Sequence, residues 1–408
     1  MVSATRHRDL HGGRPVWQDS RVRLPPHQPL GRHRSCDVLI VGAGISGAML
    51  ADALSAAGLH TIICDRRVPL QGSTAASTAM ILHEIDTPLT RLVGQIGREN
   101  GERIWRRSFL AVQALRERAR QLRIDAELEE QDSLYLQGSM LDARGLQREA
   151  AARARAGLDV RYLGAARVEQ DYGIRRRAAL LSSGSLAANP RRLTAGFLRA
   201  AASRHAELFA PEEVAEVHPR RSGVIATTRS GRKISARHLV FATGYELPKR
   251  VPAGGHKVVS TWAIATVCQP RLPWPGPSLI WEASALYLYL RTTSDGRVLC
   301  GGGDEDFADS AHRDALLPAK TAWLQRRLAG LLPQVDHRLR YAWSGSFGQS
   351  AHGLPTIGAV PGSRNCYAVL GYGGNGITFS MMAAQMLRNV IAGDGDADLD
   401  LVGFRHAG

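Results

Sequence analysis

The sequence predicts an α/β protein in which a domain with a parallel sheet is interleaved with an α+β domain built on a mostly antiparallel sheet. Three segments indicate this. Residues 37–66 read as strand, glycine turn, helix and strand. Residues 257–301 hold short apolar runs bounded by Pro, Gly or Asp-Gly, which are typical of antiparallel strands. Residues 367–391 return to strand, glycine turn and helix, so the first domain is assembled from separated segments.

Length and composition agree with a globular protein of more than one domain. A chain of 408 residues is long for one core, and 44% hydrophobic with 22% charged residues is ordinary for a soluble protein. No apolar run reaches the length of a membrane span, and the N-terminus lacks the apolar core of a secretory signal. The five cysteines are scattered without a C-x-x-C pair, so we expect no metal site and a cytoplasmic location.

The net charge of +15 could indicate a nucleic-acid or anionic-membrane partner. However, there is no recognition motif and no interleaving of aromatic with basic residues. Only four of the 52 basic residues are lysine, so the charge reflects an arginine-biased surface, and we expect no nucleic-acid partner. Residues 1–35 are rich in Arg, His and Pro without an apolar period, and they are predicted to be extended or partly disordered.

The glycine turn of residues 37–66 has the spacing of a dinucleotide-binding site. Gly42 permits the tight turn, Gly44 lets the backbone approach a pyrophosphate, and Gly47 lets the helix pack closely on the strand. The N–H groups at the helix start then face the anion. Asp65 ends the second strand, where a carboxylate can accept a hydrogen bond from a ribose hydroxyl. This predicts a Rossmann-like domain, but the motif alone does not separate NAD from FAD.

The other predicted elements follow from apolar periodicity and from helix and turn signals. Helices are predicted at 97–122, 144–156, 190–205, 313–332 and 377–391. Strands are predicted at 213–217, 223–228, 232–234, 238–242, 257–268, 278–281, 285–291, 297–301 and 367–370. The predicted nucleotide-binding domain comprises residues 36–96, 185–250 and 341–408, and the substrate domain comprises 97–184 and 251–340.

Three further loops of small residues sharpen the choice of cofactor. They lie in Gly72–Ala79, in the segment HLVFATGYE (His238–Glu246) and in GYGGNGITFS (Gly371–Ser380). The last of these opens a second helix, whose N-terminus presents N–H groups to an electron-rich group. An NAD site needs one phosphate turn, whereas an FAD extended across a domain needs several backbone contacts. FAD is therefore favoured.

With these loops, the sequence resembles the FAD-dependent amino-acid and amine oxidoreductases of the D-amino-acid oxidase type, which include glycine and sarcosine oxidases. The resemblance runs from about residue 16 to residue 404. It is carried by VGAGISGAMLA, GSTAASTA, FATGYE, YLYLRTTSDGRVLCGGG, WSGSFG, GLPTIG and GYGGNGITFS. It implies that the flavin ring lies where the nucleotide-binding domain meets a large mixed or antiparallel sheet.

The resemblance also implies which residues bind FAD. They are Gly42, Gly44, Ile45, Ser46, Gly47, Asp65 and Arg66 at the ADP half, Ser73 and Thr74 near the pyrophosphate or the flavin ring, Val214 at the adenine, Thr243 and Gly244 along the nucleotide, and Gly373, Gly374, Asn375, Gly376 and Ile377 at the pyrimidine edge of the flavin. Ala75 and Ala76 stand where a relative could carry an attachment histidine, and no cysteine matches an attachment motif. FAD is therefore expected to bind without a covalent link.

The chemistry implied is hydride removal from a carbon bearing an amine, which gives an imine that hydrolyses. The substrate would be a small amine or amino acid, and O2 or a quinone would take the electrons. Arg291 matches the position where relatives hold a substrate carboxylate, and a structural role within the sheet is the alternative. Tyr287 and Tyr289 share its face by strand alternation and could orient the substrate. His83 follows a small-residue loop and could reach the active site, although a structural pair with Glu84 is the alternative.

Two other functions remain open from the residues alone. The first is oxidation of a C–O bond, as in glycerol-3-phosphate or 2-hydroxy-acid dehydrogenases with related folds. The second, suggested by the charge, is a tRNA-modifying flavoprotein.

Overall fold

The computed structural model describes residues 4–253, 255–274, 276 and 278–404. Its strands are β1 (His11–Gly13), β2 (Arg34–Val41), β3 (Thr61–Cys64), β4 (Met80–Ile81), β5 (Glu129–Leu136), β6 (Val160–Leu163), β7 (Ala179–Ala187), β8 (Glu207–Phe209), β9 (Val214–Arg220), β10 (Gly223–Thr228), β11 (Lys233–Phe241), β12 (Lys257–Cys268), β13 (Ser278–Glu282), β14 (Leu288–Thr292), β15 (Arg297–Glu305), β16 (Leu339–Gln349), β17 (Thr356–Ala359) and β18 (Cys366–Leu370).

The helices connect and cover these strands. They are α1 (Ile45–Ala56), α2 (Leu89–Ile96), α3 (Arg98–Gln121), α4 (Ala143–Arg155), α5 (Ala165–Tyr172), α6 (Pro190–Ala202), α7 (Ser310–Ala315), α8 (Leu317–Leu331), α9 (Gly376–Ala392) and α10 (Leu399–Val402). Short 3-10 turns lie at Val16–Asp19, Ser73–Ala76 and Gly373–Asn375. The predicted cap of α6 is confirmed, because the Asn189 side chain accepts from the Arg192 N–H at 3.2 Å.

The first sheet carries the nucleotide-binding domain. Its strand order is β17-β18-β11-β2-β3-β8, and the hairpin of β9 and β10 extends from β11. The pairs β2–β3, β3–β8, β2–β11 and β11–β18 are parallel. Helices α1, α3, α6 and α9 pack into one apolar cluster with this sheet. A second cluster forms on the sheet around strand residues such as Leu39 and Phe241. This arrangement confirms the Rossmann-like prediction.

The second sheet is larger and mostly antiparallel. Its order is β1-β16-β12-β15-β14-β13-β5-β7-β4, with β6 paired to β7. The pair β5–β13 is parallel. Helix α8 contributes Leu324 and Leu328 to an apolar cluster with Trp262 and other residues of this sheet. The predicted α+β second domain is therefore confirmed.

The division between the two sheets departs from the predicted domain boundaries, most extensively at β16 and α3. Strand β16 runs to Gln349 and pairs along most of its length with β12, so residues 341–349 belong to the larger sheet. Helix α3, assigned above to the substrate domain, buries Trp105, Val112 and Leu115 in the cluster that α1 and α9 share. Apolar periodicity predicts that a helix has a buried face, but it does not say which sheet that face covers.

Several predicted elements differ in detail. The predicted strands 232–234 and 238–242 form the single strand β11, and the predicted helix 313–332 is two helices that meet at Leu316. The prediction missed β5, β7 and β16, although all three are central members of the larger sheet.

The expectation of partial disorder does not hold for residues 4–35. Strand β1 pairs with β16, and Gln28 forms a bridge with Phe209. Trp17 is only 3% exposed, and its indole N–H donates to the Ser77 carbonyl at 2.6 Å. The segment is largely extended, as predicted, but it is packed against the body of the protein. Residues 1–3 lie outside the described residues.

No helix in the described ranges combines the length and the apolar character needed to cross a bilayer.

Candidate functional site: a cofactor cleft between the two sheets

The phosphate turn is built so tightly that it requires glycine at two positions. Gly42 has φ +115°, and a Cβ there would lie 2.3 Å from the Ala242 carbonyl oxygen. A Cβ on Gly47 would lie 1.8 Å from the Gly42 carbonyl oxygen. The Gly42 N–H donates to the Cys64 carbonyl at 2.8 Å, which ties the turn to β3. The backbone at the N-terminus of α1 therefore lines an open cleft, and Gly42 and Gly44 place no side chain in front of it.

Asp65 is fixed at the end of β3 by backbone groups. One carboxylate oxygen accepts from the Ala43 N–H at 2.7 Å and the other from the Arg67 N–H at 2.8 Å. Burial raises its pKa. Arg66 and Arg67 both pair with the buried carboxylate of Glu246, the last residue of the FATGYE segment. Each oxygen of Asp65 keeps a lone pair for a ribose hydroxyl.

The small-residue loop closes against the phosphate turn. The Thr74 hydroxyl oxygen accepts from the Ile45 N–H at 3.2 Å, and a Cβ on Gly44 would lie 3.3 Å from the same oxygen. Gly244 has φ +58°, and its Cβ position is 3.6 Å from the Ser73 hydroxyl oxygen. The adjacent Thr243 hydroxyl is buried with no hydrogen-bond partner. These loops leave a narrow channel with an unsatisfied hydroxyl in its wall.

A second helix N-terminus, that of α9, closes the other end of the channel. The Gly374 N–H donates to an Asp86 carboxylate oxygen at 2.9 Å, and a Cβ on Gly373 would lie 2.7 Å from that oxygen. Burial raises the pKa of Asp86 to about 6. The Asn375 amide donates to the Glu84 carbonyl at 2.7 Å, while its amide oxygen is buried without a partner.

The larger sheet supplies the remaining wall through side chains at one end of β12, β14 and β15. The Tyr287 and Tyr289 ring centroids are 5.8 Å apart, and burial raises the pKa of both hydroxyls. Gly301 makes room for Tyr289, because a Cβ there would lie 2.3 Å from its ring. Thr261 and Asp304 line the same wall.

One cleft joins all of these features. Gly47 lies within α1 and packs against the turn, and it is the one predicted cofactor residue that is not part of the lining. All the others line the cleft: Gly42, Gly44, Ile45, Ser46, Asp65, Arg66, Ser73, Thr74, Val214, Thr243, Gly244, Gly373, Gly374, Asn375, Gly376 and Ile377. Bare backbone, two helix N-termini and two unpartnered buried polar atoms along one channel fit an extended FAD. Tyr287 and Tyr289 lie in the same cleft, on the wall that the larger sheet supplies.

Arg291, predicted to bind a substrate carboxylate, does not line this cleft. It is 3% exposed, and its guanidinium donates to the carbonyls of Thr78 at 2.7 Å and Ala188 at 2.8 Å. The Trp17 ring lies 5.2 Å from the guanidinium carbon. Arg291 therefore holds the loop before β4 and the end of β7 together, which is the structural alternative stated above.

His83 is likewise not part of the cleft lining. It is 1% exposed, packs edge-on against Phe109 at 5.3 Å, and has a pKa lowered by burial. Its neighbour Glu84 pairs at 2.8 Å with Arg153, which is 1% exposed and also pairs with Glu149 at 2.8 Å. The structure does not support the catalytic prediction for His83, because its ring packs against Phe109 of α3 and does not line the cofactor cleft.

Sequence reasoning missed Asp86 and Asp304. Neither carries a spacing signal, and each is brought to the cleft by non-local packing. The one available clue was that Asp304 directly follows the glycine run 301–303 at the end of a strand.

Comparison with known proteins identifies the family. The family model described as "DAO: FAD dependent oxidoreductase" matches residues 37–389. The chain belongs to this family of FAD-dependent oxidoreductases. Gamma-glutamylputrescine oxidoreductase of Escherichia coli (strain K12) is 22% identical, and the alignment covers 92% of this chain and 88% of that protein.

Solved structures of the same fold extend the comparison. Glycine oxidase from Geobacillus kaustophilus superposes with a TM-score of 0.72 at 22% identity, covering 89% of this chain and 96% of that chain. L-proline dehydrogenase from P. horikoshii gives a TM-score of 0.72 at 15% identity, covering 91% of this chain and 97% of that chain. The predicted family resemblance, fold class and FAD dependence are thereby confirmed.

Proposed function

We propose that this FAD-dependent oxidoreductase oxidises the carbon next to the nitrogen of a small amine or amino acid. The observation that carries the proposal is the single cleft in which the glycine-lined channel meets the wall of Tyr287 and Tyr289. The names of the relatives add support, because gamma-glutamylputrescine, glycine and L-proline all contain a C–N bond of this kind. FAD bound in the channel would supply the acceptor for the hydride and its two electrons.

The residues of the chain have to bind and orient the substrate, because the cofactor carries the difficult step. Gly373, Gly374 and Gly376 present backbone at the N-terminus of α9, where partial positive charge favours an electron-rich group. Tyr287 and Tyr289 form a firm wall opposite, and their hydroxyls stay protonated since burial raises their pKa. The reacting C–H bond would be held between these two surfaces.

We further propose that FAD is held without a covalent bond. Among the described cleft residues, Cys64 is the only cysteine and there is no histidine. Cys64 lies at the end of β3 beside Asp65, at the nucleotide end of the channel, and burial raises the pKa of its thiol. A protonated thiol at that place is unsuited to attack a flavin ring. The electron acceptor, O2 or a quinone, and the cytoplasmic location remain predictions from the sequence.

The test is anaerobic reduction of the purified yellow holoenzyme. We expect a panel of primary and secondary amines to bleach the flavin absorbance, whereas matched 2-hydroxy acids and glycerol-3-phosphate leave it unchanged. Bleaching by the hydroxy compounds alone would overturn the proposal in favour of C–O oxidation. Release of free FAD on acid denaturation, with a colourless protein pellet, tests the non-covalent link.

A further inference from the structure

The substrate end of the cleft contains a buried carboxylate that no described residue satisfies. Asp304 lines the cleft at the end of β15, yet neither of its carboxylate oxygens is exposed to solvent or has a hydrogen-bond partner. A buried ionised carboxylate without a partner is costly, so such groups are normally paired with a cation or hydrogen-bonded. The hydroxyls of Thr261 and Tyr287 are close enough to moderate the rise in pKa that burial causes, without reaching hydrogen-bond geometry.

Lys320, the basic residue whose charge acts on Asp304, is already engaged with other groups. Lys320 donates to the Gly303 carbonyl at 2.7 Å, pairs with Glu305 at 2.6 Å, and lies 4.5 Å from the Trp262 ring centroid. The positive charge of Lys320 lowers the pKa of Asp304 less than the hydroxyls of Thr261 and Tyr287 do. Asp304 therefore has no counter-ion among the described side chains.

The surroundings of Asp304 favour a positive charge. Asp86 is the other carboxylate at this end of the cleft, and the charges of the two aspartates interact. The faces of Tyr287 and Tyr289 are electron-rich and attract cations. Among the described cleft residues the only basic ones are Arg66 and Arg67, and both pair with Glu246 at the nucleotide end.

We propose that Asp304 is the binding site for a cationic group of the substrate, and that the substrate is an aliphatic amine without a carboxylate beside the reacting carbon. The geometry points to this class because a carboxylate-bearing amino acid would meet Asp304 and Asp86, with no arginine free to hold it. The inference rests on the proposed function for the reaction, since it names the substrate of the same site. Its binding test, however, does not depend on turnover.

The experiment uses the holoenzyme and three probes of one shape. tert-Butylammonium, pivalate and tert-butanol share a tert-butyl group but carry a positive, a negative and no charge. tert-Butylammonium has no hydrogen on the carbon bonded to nitrogen, so it can bind without being oxidised. Binding is measured at pH 8 and constant ionic strength from the perturbation of the flavin absorbance spectrum.

In the wild type we expect tert-butylammonium to bind at least about 10-fold more tightly than pivalate or tert-butanol. The isosteric substitution Asp304→Asn should weaken tert-butylammonium binding at least about 10-fold while the flavin content is retained. Glu305→Gln is the matched control, because it removes the neighbouring exposed carboxylate that does not line the cleft. It should leave binding within about 2-fold.

Two results would overturn the inference. The first is binding of pivalate or tert-butanol in the wild type as tight as that of tert-butylammonium, which would mean that Asp304 stays protonated or is not reached. This comparison needs no variant, so it stands even if Asp304→Asn fails to fold. The second is unchanged tert-butylammonium binding in a folded, yellow Asp304→Asn protein. Failure of amines to bleach the flavin would instead remove the proposed function and leave the cation site intact.

Discussion

The substitution Gly47→Ala tests whether the phosphate turn positions the cofactor. A Cβ at this position would lie 1.8 Å from the Gly42 carbonyl oxygen, and ordinary van der Waals contact begins at 3.4 Å. The turn or the helix must therefore move by about 1.6 Å, the difference between these two distances. Gly42 cannot move easily, because its N–H donates to the Cys64 carbonyl and the Ala242 carbonyl packs closely against its Cα, 2.3 Å from where a Cβ would lie.

The size of the effect follows from that displacement. A shift of that size would break the hydrogen bonds that the N–H groups at the start of α1 would make with the pyrophosphate, and each hydrogen bond to a charged group contributes about 1.5–3 kcal/mol. Loss of two such bonds would cost about 3 kcal/mol or more, so we expect Gly47→Ala to weaken FAD binding by at least about 100-fold. The assay is a fluorescence-quenching titration of FAD into the flavin-depleted protein, supported by the flavin content after purification.

Gly94→Ala is the matched control for Gly47→Ala. Gly94 also lies inside a helix, α2, but its Cβ position meets nothing within 4 Å. Alanine there should stabilise the helix by about 1 kcal/mol and leave FAD affinity unchanged. Wild-type FAD affinity in a folded Gly47→Ala protein would refute the reasoning, since it would show that the turn can give way without disturbing the site.

Three other substitutions test the site and its supports. Arg153→Met leaves two buried carboxylates without their cation, so it should lower the free energy of unfolding in urea by about 3–5 kcal/mol. The control Arg120→Met removes an arginine of an exposed ion pair and should leave the urea midpoint unchanged. Arg291→Met should cost about 2–4 kcal/mol by stranding two carbonyls and change the KM for an amine less than about 2-fold; a selective rise in KM would restore the carboxylate role. Asp86 binds its proton more tightly in the folded protein, with a pKa of about 6, so the folded state loses stability relative to the unfolded state as pH rises through about 4 to 6. The flavin-depleted Asp86→Asn protein should therefore be more stable than the wild type at pH 8, by up to about 3 kcal/mol, with the advantage vanishing by pH 4 in thermal melts.

The cofactor channel could be predicted from the sequence because its determinants are local. A glycine required by φ, as at Gly42, or by a close approach, as at Gly47, leaves a signature within a few residues. The same holds for the N-terminus of α9, where the run of glycines directly precedes the helix. Such motifs specify backbone geometry, and backbone geometry is what an extended dinucleotide contacts.

The substrate end could not be predicted in the same way. Asp86 and Asp304 are separated by more than 200 residues, and only the packing of two sheets brings both to one cleft. An isolated aspartate in a sequence looks the same whether its side chain is solvated, paired with a cation, or buried without a partner. Its burial and the absence of a partner are properties of the folded chain alone.

Two errors of the sequence reading have one physical cause. Strand alternation placed Arg291 and Tyr289 on the same face, and the structure shows Tyr289 in the cleft wall while Arg291 is covered. The N-terminal segment contributes to this difference, because the Trp17 ring lies over the Arg291 guanidinium and covers it. Since residues 1–35 were expected to be partly disordered, nothing was expected to cover that part of the sheet. The N-terminal segment therefore helps to bury Arg291, and Asp304 is the only charged side chain that the larger sheet contributes to the cleft among the described residues.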